Sequence, residues 1–270
     1  MEGSQDRHGD DRIDGLVCDL DGVVYRGDRV VAGAPEAIDA LRRAGVRVVF
    51  CTNNSRPTVV QYVEKLKRLG VDASPSDIVT SAVVTAKVLT SRGLGGARAL
   101  AVGGDGVRES LEAIGIEVVG ADDASDRVDL VVVGWDPRFD YNAMRAAAAA
   151  VHRGATLIAT NSDATFPAPD GLWPGAGAIL ASIQTASGVA AEVMGKPHEP
   201  MMDAVAARLD GARSIGIVGD RPDTDLAGGA ARGWTTILVL SGVTDAAGAA
   251  RLEPQPDLVL DSLADLPAAL

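Results

Sequence analysis

The chain has 270 residues, of which 47% are hydrophobic and only 3% aromatic, and it carries a formal net charge of −12. This length allows one large domain or two modest ones, with a core built from aliphatic side chains. The negative charge argues against a nucleic-acid or anionic-membrane surface, and no apolar run approaches the roughly 20 residues of a membrane helix. The polar residues 1–11 lack the apolar segment of a signal peptide, so we expect a disordered tail and a cytoplasmic protein.

Apolar runs of strand length recur along the chain, and each ends in a polar or glycine-containing cluster. They lie at residues 15–18, 46–51, 99–102, 130–133, 156–159, 214–218 and 235–240. Helical patterns lie between them at residues 34–43, 57–69, 106–114, 142–152 and 199–209. Strands rich in Val and Ile that alternate with helices are typical of parallel sheets covered on both faces. The sequence therefore predicts an α/β fold with a doubly wound, Rossmann-like parallel sheet and a site at the carboxyl ends of its strands.

The polar clusters fall into two groups along the chain. Two clusters precede residue 56 and two follow residue 194. The middle of the chain has its own alternation of predicted strands and helices. We therefore predict a core formed by residues 12–88 and 189–270. Residues 89–188 are predicted to form an inserted α/β domain that covers the site.

Two carboxylates, Asp19 and Asp21, directly follow the first predicted strand. Side chains two residues apart in extended backbone point to the same side, and Gly22 then permits a sharp turn close to a ligand. Like charges held this close are costly unless a cation, a shared proton or a reaction uses them. This cluster favours a reactive site over the alternative of a solvated turn.

Polar side chains also follow the second predicted strand, at Thr52, Asn53 and Asn54. Hydroxyl, amide and backbone N–H groups at the start of a helix can bind phosphate. The same residues could equally be a helix cap, with Asn54 or Ser55 as the capping side chain. Taken alone, this cluster does not separate the two interpretations.

The remaining clusters place a lysine and several acids at two further strand ends. Lys196 lies between a glycine and a proline, where it could neutralise a phosphoryl oxygen or simply lie in a surface loop. Asp220 and Asp225 follow the predicted strand at 214–218 and offer the hard oxygen ligands that Mg²⁺ prefers. Asp223 between them is the candidate for a helix cap.

The two cysteines, Cys18 and Cys51, each end an apolar run directly before a polar cluster. Two cysteines do not make a disulfide framework, and no histidine close in sequence would activate either as a nucleophile. We predict that both are buried core thiols at matching heights on their strands.

Taken together, the four strand ends resemble the motifs of the haloacid dehalogenase (HAD) superfamily of phosphatases. The motifs begin in order at Asp19, Thr52, Gly195 and Gly219, with the sequences DLDGV, TNNS, GKP and GDRPDTD. The resemblance is closer to subfamily IIA, which includes p-nitrophenyl-phosphatase-like, phosphoglycolate-phosphatase-like and glycerol-phosphate-phosphatase-like enzymes. It spans about residues 13–265, and residues 160–163 and 174–177 look like the subfamily's cap-to-core segments. It implies that the insert is an α/β cap.

The resemblance also implies a Mg²⁺-dependent phosphomonoesterase that works through an aspartyl-phosphate. Asp19 would be the nucleophile, and Asp21 would protonate the leaving alkoxide and then accept a proton from the attacking water. The carboxylates of Asp19 and Asp220 and the backbone carbonyl of Asp21 would bind the cation. Its substrate would be a small phosphorylated metabolite.

Phosphate binding is assigned by the same resemblance to Thr52, the Asn53 backbone and Lys196. Asp225 would orient Lys196 or the waters on the cation, and Gly22 and Asn54 would support the site. We expect Asn161, Asp163 and Trp173 to lie at the substrate entrance, and Trp135 to pack in the interior.

Substrate identity depends on the cap. A substrate the size of glycerol phosphate or phosphoglycolate is expected, with sugar phosphates or nucleoside monophosphates as alternatives. A phosphoacceptor signalling module would also use an aspartate, Mg²⁺, a hydroxyl and a lysine on a doubly wound sheet. A proton-transfer residue at Asp21 and a cap-sized insert both favour the phosphatase. A homodimer formed through the cap is compatible with the resemblance, whereas nucleic-acid and membrane partners are not expected.

Overall fold

The computed structural model describes residues 12–123, 127–168 and 171–270; the predicted tail, 1–11, lies outside these ranges. The strands are β1 (Gly15–Cys18), β2 (Tyr25–Arg26), β3 (Arg29–Val30), β4 (Arg47–Thr52), β5 (Ile78–Thr80), β6 (Arg98–Val102), β7 (Glu117–Val119), β8 (Leu130–Val133), β9 (Thr156–Ala159), β10 (Thr165–Ala168), β11 (Gly171–Pro174), β12 (Glu192–Val193), β13 (Ile215–Gly219), β14 (Thr235–Val239) and β15 (Leu258–Leu260). The helices are α1 (Ala34–Arg43), α2 (Val59–Arg68), α3 (Ser81–Ser91), α4 (Asp105–Glu112), α5 (Tyr141–His152), α6 (Ala176–Ser187), α7 (Glu199–Arg208), α8 (Ala227–Ala230), α9 (Ala246–Ala249) and α10 (Leu266–Ala269).

The larger sheet is parallel throughout its described strands, in the order β15-β14-β13-β1-β4-β5. Its centre is β1, where Cys18 pairs with Val218 on one side and with Phe50 on the other. This register brings the residues after β1, β4 and β13 to the same edge of the sheet. The two halves of the chain therefore meet at one row of strand ends, as the α/β prediction requires.

A second parallel sheet forms in the middle of the chain, in the order β12-β9-β8-β6-β7. The insert predicted at 89–188 contains most of these strands. However, β12 lies beyond residue 188 and pairs with β9, so this sheet continues past the predicted boundary. With two residues, β12 is too short to show a hydrophobic period in the sequence. The exact bounds of the insert stay a prediction.

Helix α3 packs against both sheets and fixes the position of the second sheet over the first. Its Val84 belongs to a core shared with α7 and strands β1, β4, β13 and β14. Its Ala82 and Leu89 belong to a different core, together with α4 and strands β6, β8 and β9. One rigid helix thus contributes to two hydrophobic cores.

Helix α2 begins later than the capping alternative for Asn54 or Ser55 would require. Its N-cap is Thr58, whose Oγ1 accepts a hydrogen bond from the backbone N–H of Gln61, while the Gln61 side chain accepts from the N–H of Thr58. This capping box satisfies two helix-end donors at once. Residues 52–55 are therefore not needed as helix caps.

The predicted elements are confirmed, with ends that differ by at most one or two residues. The strands that the patterns missed are short, and the missed helices α3 and α6 have only a weak alternation of polar and apolar residues. The hairpins β2–β3 and β10–β11 are too brief for a period-2 signal, and much of α3 is buried. Both cysteines are buried free thiols, as predicted, and burial raises the pKa of Cys51 to about 12.

The longest described helices, α5 and α6, have 12 residues each. Within the described ranges, no helix combines the length and the apolar character needed to cross a membrane.

Candidate active site

A cavity of about 50 Å³ lies where the strand ends of the larger sheet meet the second sheet. Ten of the residues predicted for the site contribute to its lining: Asp19, Asp21, Thr52, Asn53, Asn54, Asn161, Asp163, Lys196, Asp220 and Asp225. They come from positions up to two hundred residues apart, and the parallel topology brings them together. Gly22 lies directly beside this cavity.

The Lys196 ammonium lies at the centre of the site and is almost completely buried. Its Nζ is 2.5 Å from Asp19 Oδ1 and 2.7 Å from Asp225 Oδ1, and it donates a third bond of 2.9 Å to the backbone carbonyl of Cys51. Burial lowers the pKa of Lys196, but the two carboxylates outweigh that effect and hold it well above its ordinary value. Lys196 therefore stays a cation.

Asp225 is fully engaged by protein groups. While Oδ1 pairs with Lys196, Oδ2 accepts hydrogen bonds from the backbone N–H groups of Asp220 at 3.2 Å and Arg221 at 3.0 Å. A carboxylate with this many donors is locked in place. It pairs with Lys196 and shapes the turn after β13.

Asp220 is held by the loop that follows β14, residues 241–244. Its Oδ2 accepts a hydrogen bond of 2.6 Å from the Val243 N–H, and its backbone carbonyl accepts one of 2.6 Å from Thr244 Oγ1. Burial first, and the charge of Asp225 second, raise the pKa of Asp220 to about 7. The Asp220 carboxylate is thus held in one direction. The positive charges near it do not offset its burial and the charge of Asp225.

Two glycines make room for the Asp220 carboxylate. Gly22 has a φ of +88°, and a Cβ on Gly22 or on Gly242 would overlap the Asp220 side chain. Glycine is needed at position 22 for its backbone conformation and at both positions for the close approach. The requirement at Gly22 was anticipated from the turn after Asp21, whereas that at Gly242 was not.

The donor set at this edge fits a divalent cation. Carboxylate oxygens of Asp19, Asp220 and Asp225 all lie within 4.8 Å of one another. Three carboxylates and one ammonium carry two excess negative charges when ionised, and oxygen ligands are those that Mg²⁺ prefers. Because both oxygens of Asp225 are already engaged, Asp19 and Asp220 are the carboxylates available to a cation.

Asp21 lies beside the cluster in a different environment. Its Oδ2 is 3.5 Å from the Tyr25 hydroxyl, and the Lys65 ammonium lies 3.6 Å from the centroid of the Tyr25 ring. Burial raises the pKa of Asp21, and the charge of Lys65 partly opposes this. A raised pKa favours the protonated form of the carboxyl group, which is the form that a general acid needs.

The loop after β4 is organised by its own polar groups. Thr52 Oγ1 accepts a hydrogen bond of 3.1 Å from the Asn54 N–H, and the buried Tyr62 hydroxyl donates one of 2.8 Å to the Asn54 carbonyl. Thr52 keeps its own O–H proton available to donate. The loop thus presents a hydroxyl donor toward the cavity.

Asn53 connects three parts of the site. Its Oδ1 accepts a hydrogen bond of 2.7 Å from the Lys196 N–H, and its Nδ2 donates to the Lys196 carbonyl at 3.1 Å and to Asp163 Oδ1 at 3.0 Å. Its backbone carbonyl accepts from the side chains of Ser81 at 2.6 Å and Asn161 at 2.7 Å. The Asn53 side chain is therefore committed to positioning Lys196 and Asp163.

Replacing Asn53 by alanine is expected to lower both stability and turnover. Three side-chain hydrogen bonds are lost and buried partners are left unsatisfied, so the free energy of unfolding should fall by about 3 kcal/mol. Because the Lys196 backbone is no longer fixed, kcat should fall about tenfold. Urea unfolding and steady-state kinetics measure the two effects. Asn142→Ala, which removes a surface amide bonded to Asp122, is the matched control and should change neither.

The cap contributes both expected and unexpected residues. Asn161 and Asp163 line the cavity, whereas Trp173 on β11 is 43% exposed and is absent from the described lining. Trp135 packs in a hydrophobic core, as expected, and also lines the cavity; it stacks on Phe166 with ring centroids 4.1 Å apart. Its Nε1 donates a hydrogen bond of 3.0 Å to the Pro174 carbonyl. The aromatic wall of the cavity is therefore the Trp135–Phe166 pair.

Two features of the site were missed by the sequence analysis. Arg221 lines the cavity and reaches across to Thr165 on β10, donating to its carbonyl at 3.3 Å and its hydroxyl at 3.4 Å. The loop 241–244 holds Asp220, and its Ser241 hydroxyl donates to the Gly22 carbonyl at 2.7 Å. The loop follows the predicted strand at 235–240. Because parallel strands end at a common edge of the sheet, the sequence could have placed this loop at the site.

Comparison with known proteins identifies the family of this chain. The family model described as haloacid dehalogenase-like hydrolase matches residues 16–117, and a second model, described as HAD-hydrolase-like, matches residues 193–266. The glycerol-3-phosphate phosphatase of Gallus gallus is 36% identical over 96% of this chain and 92% of its own length. The acid sugar phosphatase of Staphylococcus aureus is 36% identical over 84% of this chain and 86% of its own.

Among solved structures, the glycerol phosphate phosphatase of Mycobacterium tuberculosis in complex with magnesium superposes with a TM-score of 0.85. It is 36% identical in sequence, and the match covers 94% of this chain and 76% of that one. The two family models together match most of the core and the first part of the middle segment, and the relatives extend over most of the chain. The chain therefore belongs to the haloacid dehalogenase-like hydrolase family, among relatives that are phosphatases.

Proposed function

We propose that this phosphatase hydrolyses small phosphomonoesters through a covalent phosphate on Asp19. The observation that carries the proposal is the pairing of Asp19 with the buried Lys196 in an enclosed cavity that also contains Asp21. An anionic nucleophile and a fixed cation a few ångströms apart suit a phosphoryl group, which needs both attack and charge neutralisation.

In the first displacement, an Asp19 carboxylate oxygen forms a bond to phosphorus and the bond from phosphorus to the ester oxygen breaks. The protonated Asp21 carboxyl gives its proton to the departing alkoxide, so a neutral alcohol leaves. Lys196, once it exchanges its hydrogen bond to Asp19 for one to the ester, and the Thr52 hydroxyl would donate to the phosphoryl oxygens, over which charge spreads in the transition state. The backbone N–H of Asn53 would add a further donor.

In the second displacement, water attacks phosphorus and gives its proton to the Asp21 carboxylate. The bond from phosphorus to Asp19 then breaks, which regenerates both carboxyl groups and releases inorganic phosphate. Asp225 holds Lys196 in place during both displacements, because its own oxygens are fixed by backbone donors. Proton transfer of this kind contributes roughly 10²–10⁴-fold to rate.

Mg²⁺ is the cation we propose for the Asp19–Asp220 edge, with the Asp21 carbonyl as a further ligand. When bound, it offsets the repulsion between the anionic nucleophile and the anionic ester. The magnesium complex of the M. tuberculosis relative supports this choice, as does the excess of carboxylates over cations in the cluster. The Val243 N–H fixes the direction of the Asp220 carboxylate that would hold the cation.

A small substrate is favoured by the small volume of the site. The cap side chains Trp135, Asn161 and Asp163 contribute to the lining of this cavity of about 50 Å³. We propose glycerol phosphate or phosphoglycolate as the model for substrate size. Sugar phosphates remain a second candidate because of the acid sugar phosphatase relative.

The test is a comparison of kcat/KM for glycerol 3-phosphate, phosphoglycolate, pyridoxal phosphate and a nucleoside monophosphate, each with Mg²⁺. We expect the two smallest esters to be the better substrates. A tenfold preference for the nucleotide, about 1.4 kcal/mol of transition-state binding, would overturn the choice of a small substrate. Release of one leaving alcohol per chain, with the phosphoryl group kept on the protein and no further turnover, would instead favour a phosphoacceptor module.

A further inference from the structure

A second, larger cleft adjoins the catalytic cavity and has no part in the steps described above. It measures about 800 Å³ and lies between the β2–β3 hairpin of the core and the β10–β11 hairpin of the cap. Asp21, Pro167 and Asp220 line both this cleft and the catalytic cavity. The two spaces therefore share part of their wall, and the shared wall includes Asp21, the proposed general acid.

The position of Asp21 decides which part of the substrate enters the larger cleft. A cavity of about 50 Å³ has room for a few water molecules at roughly 15 Å³ each, which is room for the phosphoryl oxygens. The ester oxygen must lie within reach of Asp21 to receive its proton. The leaving alcohol thus extends past Asp21, away from Lys196, and into the larger cleft.

Two arginines, Arg26 and Arg29, line this cleft from the β2–β3 hairpin. They pair directly across the hairpin, so both side chains leave the same face. Among residues 12–123, 127–168 and 171–270, neither guanidinium has a hydrogen-bond or ion-pair partner, although Asp28 lies between them. Two like charges placed directly opposite each other are unfavourable without an anion between or beside them.

The hairpin that carries the arginines is firmly attached to the catalytic loop. The Gly22 N–H donates to the Tyr25 carbonyl at 2.7 Å, the Val31 N–H donates to the Val24 carbonyl at 2.9 Å, and the Tyr25 ring is buried. The backbone of Arg26 is therefore fixed relative to Asp21. A group on the leaving alcohol would meet the guanidinium groups at a defined distance from the scissile bond.

We propose that Arg26 and Arg29 form a subsite for a second anionic group, a carboxylate or phosphate, on the leaving alcohol. The inference rests on the proposed phosphomonoesterase function and specifies its substrate class. Guanidinium groups bind carboxylates and phosphates through paired, charge-assisted hydrogen bonds. They also offset the repulsion that Asp21, Asp28 and Asp220 would exert on an anionic leaving group.

The experiment compares two esters with the same carbon skeleton, 3-phosphoglycerate and glycerol 3-phosphate, with p-nitrophenyl phosphate as a third substrate. The native enzyme should prefer 3-phosphoglycerate, and the ratio of kcat/KM between the two glyceryl esters should fall roughly tenfold in Arg26→Gln/Arg29→Gln. The loss should appear mainly in KM, because the contact exists before and during the reaction. Arg26→Lys/Arg29→Lys should retain part of the preference, and added salt should weaken it in the native enzyme.

Arg43→Gln removes an exposed arginine on α1 and is the matched control; it should keep the native ratio. Both arginines of the subsite are exposed, so the double variant should fold, which its thermal unfolding checks. An unchanged ratio in the double variant, with p-nitrophenyl phosphate still hydrolysed, would overturn the subsite alone. Failure of the native enzyme to hydrolyse any of the three esters would overturn the proposed function and the subsite with it.

Discussion

Asp19→Asn is expected to reduce kcat by at least about 10⁴-fold for every phosphate ester, because the amide cannot form the covalent phosphate. The variant should remain folded. Lys196 keeps its 2.7 Å ion pair with Asp225, and the substitution removes one of three mutually repelling carboxylates. Its free energy of unfolding should therefore stay within about 1 kcal/mol of the native value.

Asp21→Asn is expected to fail differently. Without the proton donor, esters of alkyl alcohols should lose roughly 10²–10⁴-fold in kcat/KM, while p-nitrophenyl phosphate should still transfer its phosphoryl group because p-nitrophenolate leaves unprotonated. Activation of water is lost as well. The variant should release about one p-nitrophenolate per chain in a burst and then accumulate phosphate on Asp19.

Rapid quenching with a radiolabelled ester, followed by peptide mapping, measures both outcomes. Label should build up on the peptide containing Asp19 in Asp21→Asn and be absent in Asp19→Asn. Asp223→Asn, which alters an exposed carboxylate in the turn after β13, is the control and should retain native activity. The same loss in both variants for all leaving groups would show that the two roles are wrongly assigned.

The parts of the site that the sequence could predict follow from one geometric rule. Parallel strands end at a common edge, so polar residues after the runs at 15–18, 46–51 and 214–218 had to converge. The pairing of Cys18 with Phe50 and Val218 shows that β1, β4 and β13 end side by side, as this rule predicts. Because the rule concerns long buried strands, it works best where hydrophobic periodicity is strongest.

The missed parts depend on short elements and on side-chain direction. The hairpins β2–β3 and β10–β11 have only two to four residues per strand, which leaves no period to detect. Trp135 and Trp173 look alike in the sequence, yet their positions after β8 and on β11 aim one ring at the cavity and the other partly at solvent. Such differences arise from the packing of the cap and carry no local signal.

The role of Asn53 shows a third limit. Residue type and position after β4 made it a candidate for phosphate binding through its backbone. The structure shows that its side chain instead joins Lys196 to Asp163, two residues from distant parts of the chain. A single polar side chain that connects core and cap can be recognised only once the long-range contacts are known.

Removal of divalent cations with a chelator should abolish turnover, with a loss of at least about 10³-fold in kcat/KM. Without a cation, the carboxylates of Asp19 and Asp220 repel each other and the anionic ester, and Lys196 alone cannot balance them. Activity should return on addition of Mg²⁺. Ca²⁺ should bind but restore activity poorly, because its longer and more flexible coordination disturbs the alignment of nucleophile and ester.

The cation should also be visible in the stability of the protein, independently of catalysis. A ligand that binds only the folded chain stabilises it by about 2.7 kcal/mol at one hundred times its Kd, so both Mg²⁺ and Ca²⁺ should raise the thermal midpoint. Asp220→Asn removes one of the two carboxylates that protein groups leave available, and it should reduce that shift for both ions. Asp223→Asn should leave the thermal shift unchanged, because the Asp223 side chain is exposed.

Full turnover in excess chelator, or a thermal shift in Asp220→Asn equal to that of the native chain, would rule out a cation held between Asp19 and Asp220. A shift with Ca²⁺ but no recovery of turnover would show that this pair of carboxylates selects its cation by catalytic geometry, since both ions would then occupy the same ligands.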